Sequence, residues 1–155
     1  MADNLTNTES YLSFRLDKEI FAVKVKSILE VLEIYKITPI PLTPEYIKGV
    51  INFRGEILPV IDMRLKLNVD CQELTPKSVI IVFEIVSMEK RYTIGAIADE
   101  VKDVVSIQIN DIKPAPELGT KYNPGFLTGM IKYDNHYVMI LNIEEVLSLN
   151  ELTVI

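Results

Sequence analysis

A mainly β fold arranged as two small barrels is what this 155-residue sequence predicts. Three observations carry that reading. Apolar residues recur at every second position in short runs, the pattern of strands with one buried and one wet face. Turn-forming residues punctuate those runs. The order of elements in the first half then recurs in the second.

The opening hairpin shows the pattern. Leu12, Phe14 and Leu16 alternate with Ser13, Arg15 and Asp17, and after an Asp17-Lys18-Glu19 turn Phe21, Val23 and Val25 repeat it. Ser27 and Glu30 have the spacing of a capping box, so a short helix with Ile28, Val31 and Leu32 as its apolar stripe is expected next. Pro39, Pro41 and Pro44 exclude regular helix beyond it, and residues 34–40 read as extended chain. A second hairpin turns at Phe53-Arg54-Gly55-Glu56, where Gly55 supplies a positive φ. Pro59 lacks an N–H, which predicts an edge strand or a bulge there. Asp62 reads as the N-cap of a short helix to Leu67, and residues 69–76 as a polar connector.

The second half follows suit. Ser78–Val86 and Arg91–Ala98 form a hairpin, and Val101, Val104, Val105, Ile107 and Ile109 continue as extended chain. Residues 110–124 form a loop. Residues 126–133 and 136–141 pair around Asp134-Asn135, and Asn142 with Glu145 caps a helix over 143–149. Aligning the halves sets Ile28 opposite Val101, Val31 opposite Val104, and Asp62 opposite Asn142. Two barrels of similar plan account for this, since closing a sheet removes its unpaired edges. Chance similarity between two β-rich halves is the alternative. The boundaries expected are a flexible tail over 1–9, one domain over 10–150, and a C-terminal helix over 142–149. Within the domain, 25–70 makes most of the first barrel, while 10–24 and 77–141 pair into the first and second.

Composition narrows the function. The chain carries 16 Lys and Arg against 22 Asp and Glu, a net charge of −6, which disfavours nucleic acid and anionic lipid as partners. Its longest apolar runs, 79–83 and 138–141, fall far short of the ~20 residues a spanning helix needs, so membrane insertion is not expected. The N-terminus lacks the charged and apolar regions of a secretory signal, and a single cysteine, Cys71, excludes an internal disulfide framework. A cytoplasmic protein is expected.

Catalysis finds little support. His136, the one histidine, has no serine or cysteine nucleophile motif near it and reads as a solvated strand residue. Cys71 stands outside any CxxC motif. Asp99-Glu100 and Glu144-Glu145 could split into acid and base, yet adjacent acids more often serve local electrostatics, and the second pair suits a helix N-terminus. No HExxH, EF-hand, GxGxxG or P-loop spacing occurs, so neither a metal nor any other cofactor is expected. An interaction protein is the default; a small β-barrel enzyme using His136 is the competing class.

One segment is specific. Tyr46–Asp62, reading YIKGVINFRGEILPVID, resembles the signature stretch of the CheW family, in which an Asn-Leu-Arg-Gly tip precedes a strand like Ile-x-Pro-Val-x-Asp. Three further segments keep the family order: the hairpin Leu12–Val25; Asp99-Glu100-Val101-x-x-Val104 ahead of Ile112-Lys113-Pro114-Ala115-Pro116; and Leu127-Thr128-Gly129 before Leu141-Asn142-Ile143. The resemblance covers roughly residues 10 to 150. It implies two SH3-like five-stranded barrels side by side, and a non-catalytic adaptor. The implied partners are the regulatory domain of the CheA histidine kinase and the helical-hairpin tip of methyl-accepting chemoreceptors, with other CheW-like domains in rings.

By the same resemblance a receptor helix docks in a groove lined by Leu12, Val25, Ile28 and Val101. Glu30, Asn52, Arg54 and Gly55 form a coupling surface in which Glu30 and Arg54 pair. Kinase contacts fall near Ile57, Leu58 and Val60, residues that could equally face inward. All of these also fit ordinary core or solvated-tip roles. Phe53 departs from the family leucine, and Leu32-Glu33 stands where some members carry Arg-Gly. The kinase's own regulatory domain is the nearest other identity, and the chain's length argues against it and against a fused receiver. An adaptor of another kinase circuit, such as surface motility, is a further alternative.

Overall fold

The computed structural model describes residues 7–87, 89–115 and 124–147. Within them the chain forms strands β1 (Thr8–Leu16), β2 (Glu19–Lys24), β3 (Ile28–Glu33), β4 (Ile47–Phe53), β5 (Glu56–Asp62), β6 (Val79–Ser87), β7 (Lys90–Ala98), β8 (Glu100–Gln108), β9 (Leu127–Tyr133) and β10 (His136–Leu141). One-turn helices α1 (Met63–Lys66) and α2 (Ile143–Val146) follow β5 and β10. The strands make two five-stranded sheets, ordered β8-β1-β2-β10-β9 and β3-β6-β7-β5-β4. The architecture is mainly β, in two subdomains.

Each half of the chain is divided between the sheets. The hairpin β1–β2 enters one sheet and β3–β5 enter the other; β6–β7 then complete the second sheet and β8–β10 return to the first. The two halves exchange places with matched register. Phe14 faces Val101 as Phe83 faces Ile28, and Leu12 faces Val104 as Ile81 faces Val31. A bulge interrupts both ladders at the same point, between Leu12 and Phe14 in one and between Ile28 and Glu30 in the other. The parallel pairings match as well, with Ile140 beside Ala22 and Val60 beside Gly95. An operation that exchanges the sheets therefore restores the fold, an approximate twofold relation.

Three apolar clusters follow from this plan. Tyr11, Ala22, Ile107, Val138 and Ile140 fill the first sheet, while Ile51, Phe53, Leu58, Val60, Ile80, Val82 and Ile97 fill the second. The largest cluster lies between the sheets and draws on both, with Phe14, Phe21, Phe83 and Ile94 at its centre. Alternate residues of β1 and β6 therefore face a private core and a shared one, which is why those strands read as nearly continuous apolar runs.

Several expectations change. The Ser27 capping box does not operate: Val25–Ser27 is a single 3-10 turn, and Ile28–Glu33 is strand β3, because its edge finds a ladder partner in β6. Pro59 lies in β5, which is interior to its sheet rather than an edge. Its missing donor is harmless there. Val50, opposite Pro59, exchanges both its backbone bonds with Thr38, so Pro59 faces β7, whose ladder with β5 starts only at Val60. Asp62 caps α1 as expected by accepting from Arg64 N at 3.0 Å, but Asn142 at the matching place makes no side-chain cap bond. Thr8 and Glu9 belong to β1 rather than to a tail. Residues 1–6, most of the 110–124 loop and the expected helix beyond Leu147 lie outside the described residues.

Candidate functional site

The four aliphatic residues expected to line a groove all belong to or pack against the cluster at the seam between the sheets. Leu12 is buried in the shared cluster, and Val25, Ile28 and Val101 are half-buried against it. Ile28 opens β3 and Val101 lies at the start of β8, each an edge strand of its sheet. Their cross-strand partners Phe83 and Phe14 are fully buried in the shared core. The shared core thus comes to the surface on both edge strands, at Ile28 on β3 and Val101 on β8, with Val25 partly open to solvent as well. Val31 and Val104 are further out on the same two strands, at 41% and 65% exposure.

Beside this seam, Arg54 Nη2 donates to Glu30 Oε1 across the hairpin tip. The guanidinium also lies 4.8 Å from the centre of the Phe53 ring. Phe53 is buried in the second sheet's own core. The departure from leucine therefore provides an aromatic platform that holds Arg54 by a cation–π contact. Arg54 and Gly55 both have positive φ, 52° and 86°, the requirement of a tight type I′ hairpin. Asn52 Oδ1 accepts from Gly55 N at 3.0 Å, and Asn52 O accepts from Tyr35 Oη at 2.6 Å, so Asn52 ties the tip to the chain leaving β3.

Of the three residues expected on a kinase-facing surface, Ile57 is 65% exposed, whereas Leu58 and Val60 are buried in the second sheet's core. Leu58 and Val60 are thereby corrected from surface to core; alternation along β5 turns both of them inward, into the second sheet's own cluster. Ile57 borders a shallow depression with Tyr35, Lys36, Thr38, Val50 and Asn52. A matching depression on the other sheet is bordered by Asp111, Lys113, Met130, Lys132 and Tyr137.

A buried ionic cluster was not anticipated. Arg64 in α1 is 4% exposed and bonds both Asp62 and Asp99, which are 1% and 4% exposed. Asp62, bonding it at short range, raises its pKa above the ordinary arginine value despite desolvation. Asp99 belonged to a noted acidic pair, but nothing in the sequence marks its partner, which lies 35 positions away.

The groups considered for catalysis do not assemble. His136 is exposed at the start of β10, and Cys71 is exposed in the connector, its thiol pushed up by desolvation and then by Asp62. Among the described residues no group of three His, Cys, Asp or Glu side chains is placed to hold a metal ion, and no helix is long and apolar enough to cross a membrane.

Comparison with known proteins agrees with this geometry. The family model described as a CheW-like domain matches residues 10–151. A chemotaxis protein CheW of Thermotoga maritima is 31% identical over 157 aligned positions, covering 99% of this chain and 95% of that protein. A CheW of Rhizobium meliloti is 29% identical, covering 94% and 92%. The crystal structure of the scaffolding protein TtCheW from Thermoanaerobacter tengcongensis superposes with a TM-score of 0.82 at 31% identity, covering 92% of this chain and 90% of that one. With two five-stranded subdomains, an Asn-Phe-Arg-Gly hairpin tip and this similarity along nearly its whole length, the chain belongs to the CheW family of chemotaxis adaptors.

Proposed function

We propose that the chain acts without catalysis in the cytoplasm, joining a CheA-type histidine kinase to the cytoplasmic tips of methyl-accepting chemoreceptors in membrane-associated arrays. The observation that carries this reading is the seam itself. Ile28 and Val101, half-buried and equivalent in the two halves, flank a strip of aliphatic surface over the shared core. An amphipathic receptor helix buries its apolar stripe in such a strip. Leu12 forms its floor and Val25 one wall, with the Glu30–Arg54 pair at its edge, oriented by Asn52 and Gly55. An exposed pair of this kind adds only ~0–1 kcal/mol to stability, so its contribution is to specificity.

The kinase regulatory domain docks around Ile57, in the depression on the second sheet, and other CheW-like domains use the same kind of contact in rings. The test is a titration of the chain against a purified kinase regulatory domain and a receptor-tip fragment. Ile28→Asp should weaken tip binding at least about tenfold and leave kinase binding intact, because a charge on the strip loses the burial of an aliphatic side chain. Arg54→Ala should weaken tip binding less, and Ile57→Asp should affect only the kinase domain. Absence of wild-type binding to both partners would overturn the reading.

A further inference from the structure

We infer that the groove between the sheets reads a docked receptor helix in one direction, because its two symmetry-related rims carry different charge. The inference rests on the adaptor reading above. The exchange of strands makes the two edge strands of the groove alike, with Ile28 and Val31 standing on β3 as Val101 and Val104 stand on β8. A helix laid on this surface meets those two pairs of aliphatic contacts equivalently in two opposite orientations. Apolar burial is non-directional and does not separate them.

Charge separates them. The β3 rim adjoins a tight hairpin tip with two positive φ values, Arg54 (52°) and Gly55 (86°), and the tip that corresponds to it in the other half is Asp134 (50°) and Asn135 (64°). On the first rim Arg54 is neutralised by Glu30. On the second, Asp103 occupies the place of Glu30 and Asp134 the place of Arg54, so two exposed carboxylates replace an ion pair. Three cations gather on Glu100, at the start of the same strand: Arg15 at 3.2 Å, Lys77 at 3.7 Å and Lys102, the neighbour of Asp103, at 3.9 Å. Asp103 is also held in place. The buried hydroxyl of Ser13 donates to Asp103 O at 3.1 Å and accepts from Asp103 N at 3.0 Å, fixing the bulge from which the carboxylate projects. Val82, at the corresponding place in the other sheet, has no group for that task. The helix that fits carries Lys or Arg where it crosses β8 and acidic or uncharged residues where it crosses β3.

A receptor-tip helical hairpin bearing one nitroxide near one end, added to the isotope-labelled chain, reads the orientation from which rim's amide signals broaden. Wild type should broaden at one rim, with a preference of roughly five- to tenfold that fades toward 1 M salt, where the screening length falls to about 3 Å. Two variants make the tips alike: Arg54→Asp with Gly55→Asn, and Asp134→Arg with Asn135→Gly and Asp103→Glu. In whichever of these retains binding, both rims should broaden comparably. Two-sided broadening in wild type, or one-sided broadening that persists in the second variant, overturns the inference while leaving the adaptor reading intact. A fragment that binds no form of the chain overturns both.

Discussion

Arg64 Nη1 lies 2.9 Å from Asp99 Oδ1, and through that contact one buried cation joins both sheets. The same guanidinium bonds both oxygens of Asp62 at 3.0 and 2.9 Å and donates to Gln72 O at 2.7 Å. Asp99 Oδ2 in turn accepts from Asp17 N at 2.7 Å, in the turn between β1 and β2. The cluster thus pins α1, the β7–β8 junction and the first hairpin to one another.

Replacing Arg64 with Met should therefore leave two buried carboxylates without a counter-charge. The expected loss is about 3–5 kcal/mol, the range for breaking one partner out of a buried pair. Urea denaturation measures it. A loss below about 1 kcal/mol would mean that water reaches the cluster.

Two glycines occupy matching places in the edge strands β4 and β9, where Thr38 and Lys113 pair alongside. A Cβ on Gly49 would overlap the Thr38 carbonyl oxygen, and one on Gly129 would overlap that of Lys113. Gly49 also has φ of +144°. Gly49→Ala should cost about 3 kcal/mol or more, at the upper end of ordinary single substitutions. Gly55→Ala meets nothing within 4 Å and carries only the strain of φ +86°, so about 1 kcal/mol is expected. Equal midpoints in denaturant for the two variants would contradict this contrast.

Phe14 and Phe83 hold equivalent places in the core shared by the sheets, both fully buried. Truncating either to Ala should cost about 3–5 kcal/mol. Because the cluster draws on both sheets, each variant should still unfold in one transition. Two separated transitions in calorimetry would show that the subdomains are independent.

Arg15 and Glu100 face each other across β1 and β8, with Nε 3.2 Å from Oε1. The Arg15 hydrogen bond holds the Glu100 carboxyl below the ordinary glutamate value. The ion pair therefore supports the fold at pH above the ordinary glutamate pKa, and that support is lost as pH falls through the lowered one. Arg15→Gln should move the Glu100 titration upward, as followed by NMR of its side-chain carboxyl. An unmoved titration would assign the shift to Lys77 and Lys102.

By itself the sequence determined the strand content, the hairpin tips and the family. These follow from local chemistry: period-two apolarity, turn residues, and the Asn52–Gly55 tip, whose hydrogen bond spans three residues. It also showed that Ile28 and Val101 are equivalent. Tertiary structure alone decided what depends on distant partners. Residues 28–33 have a helical spacing of apolar groups, yet they form a strand because β6 offers a ladder, and pairing with a buried sheet outweighs the ~1 kcal/mol of a local cap. Alternation along β5 puts Leu58 and Val60 on the opposite face from Ile57, and only the packing of the sheet decides which of the two faces is inward. The Arg64–Asp99 contact and the crossing of each half into the other's sheet join residues far apart in sequence, where spacing carries no signal. So the residues of the proposed strip were legible, while the matched register of the two halves and the ionic cluster tying the sheets together were set by the fold.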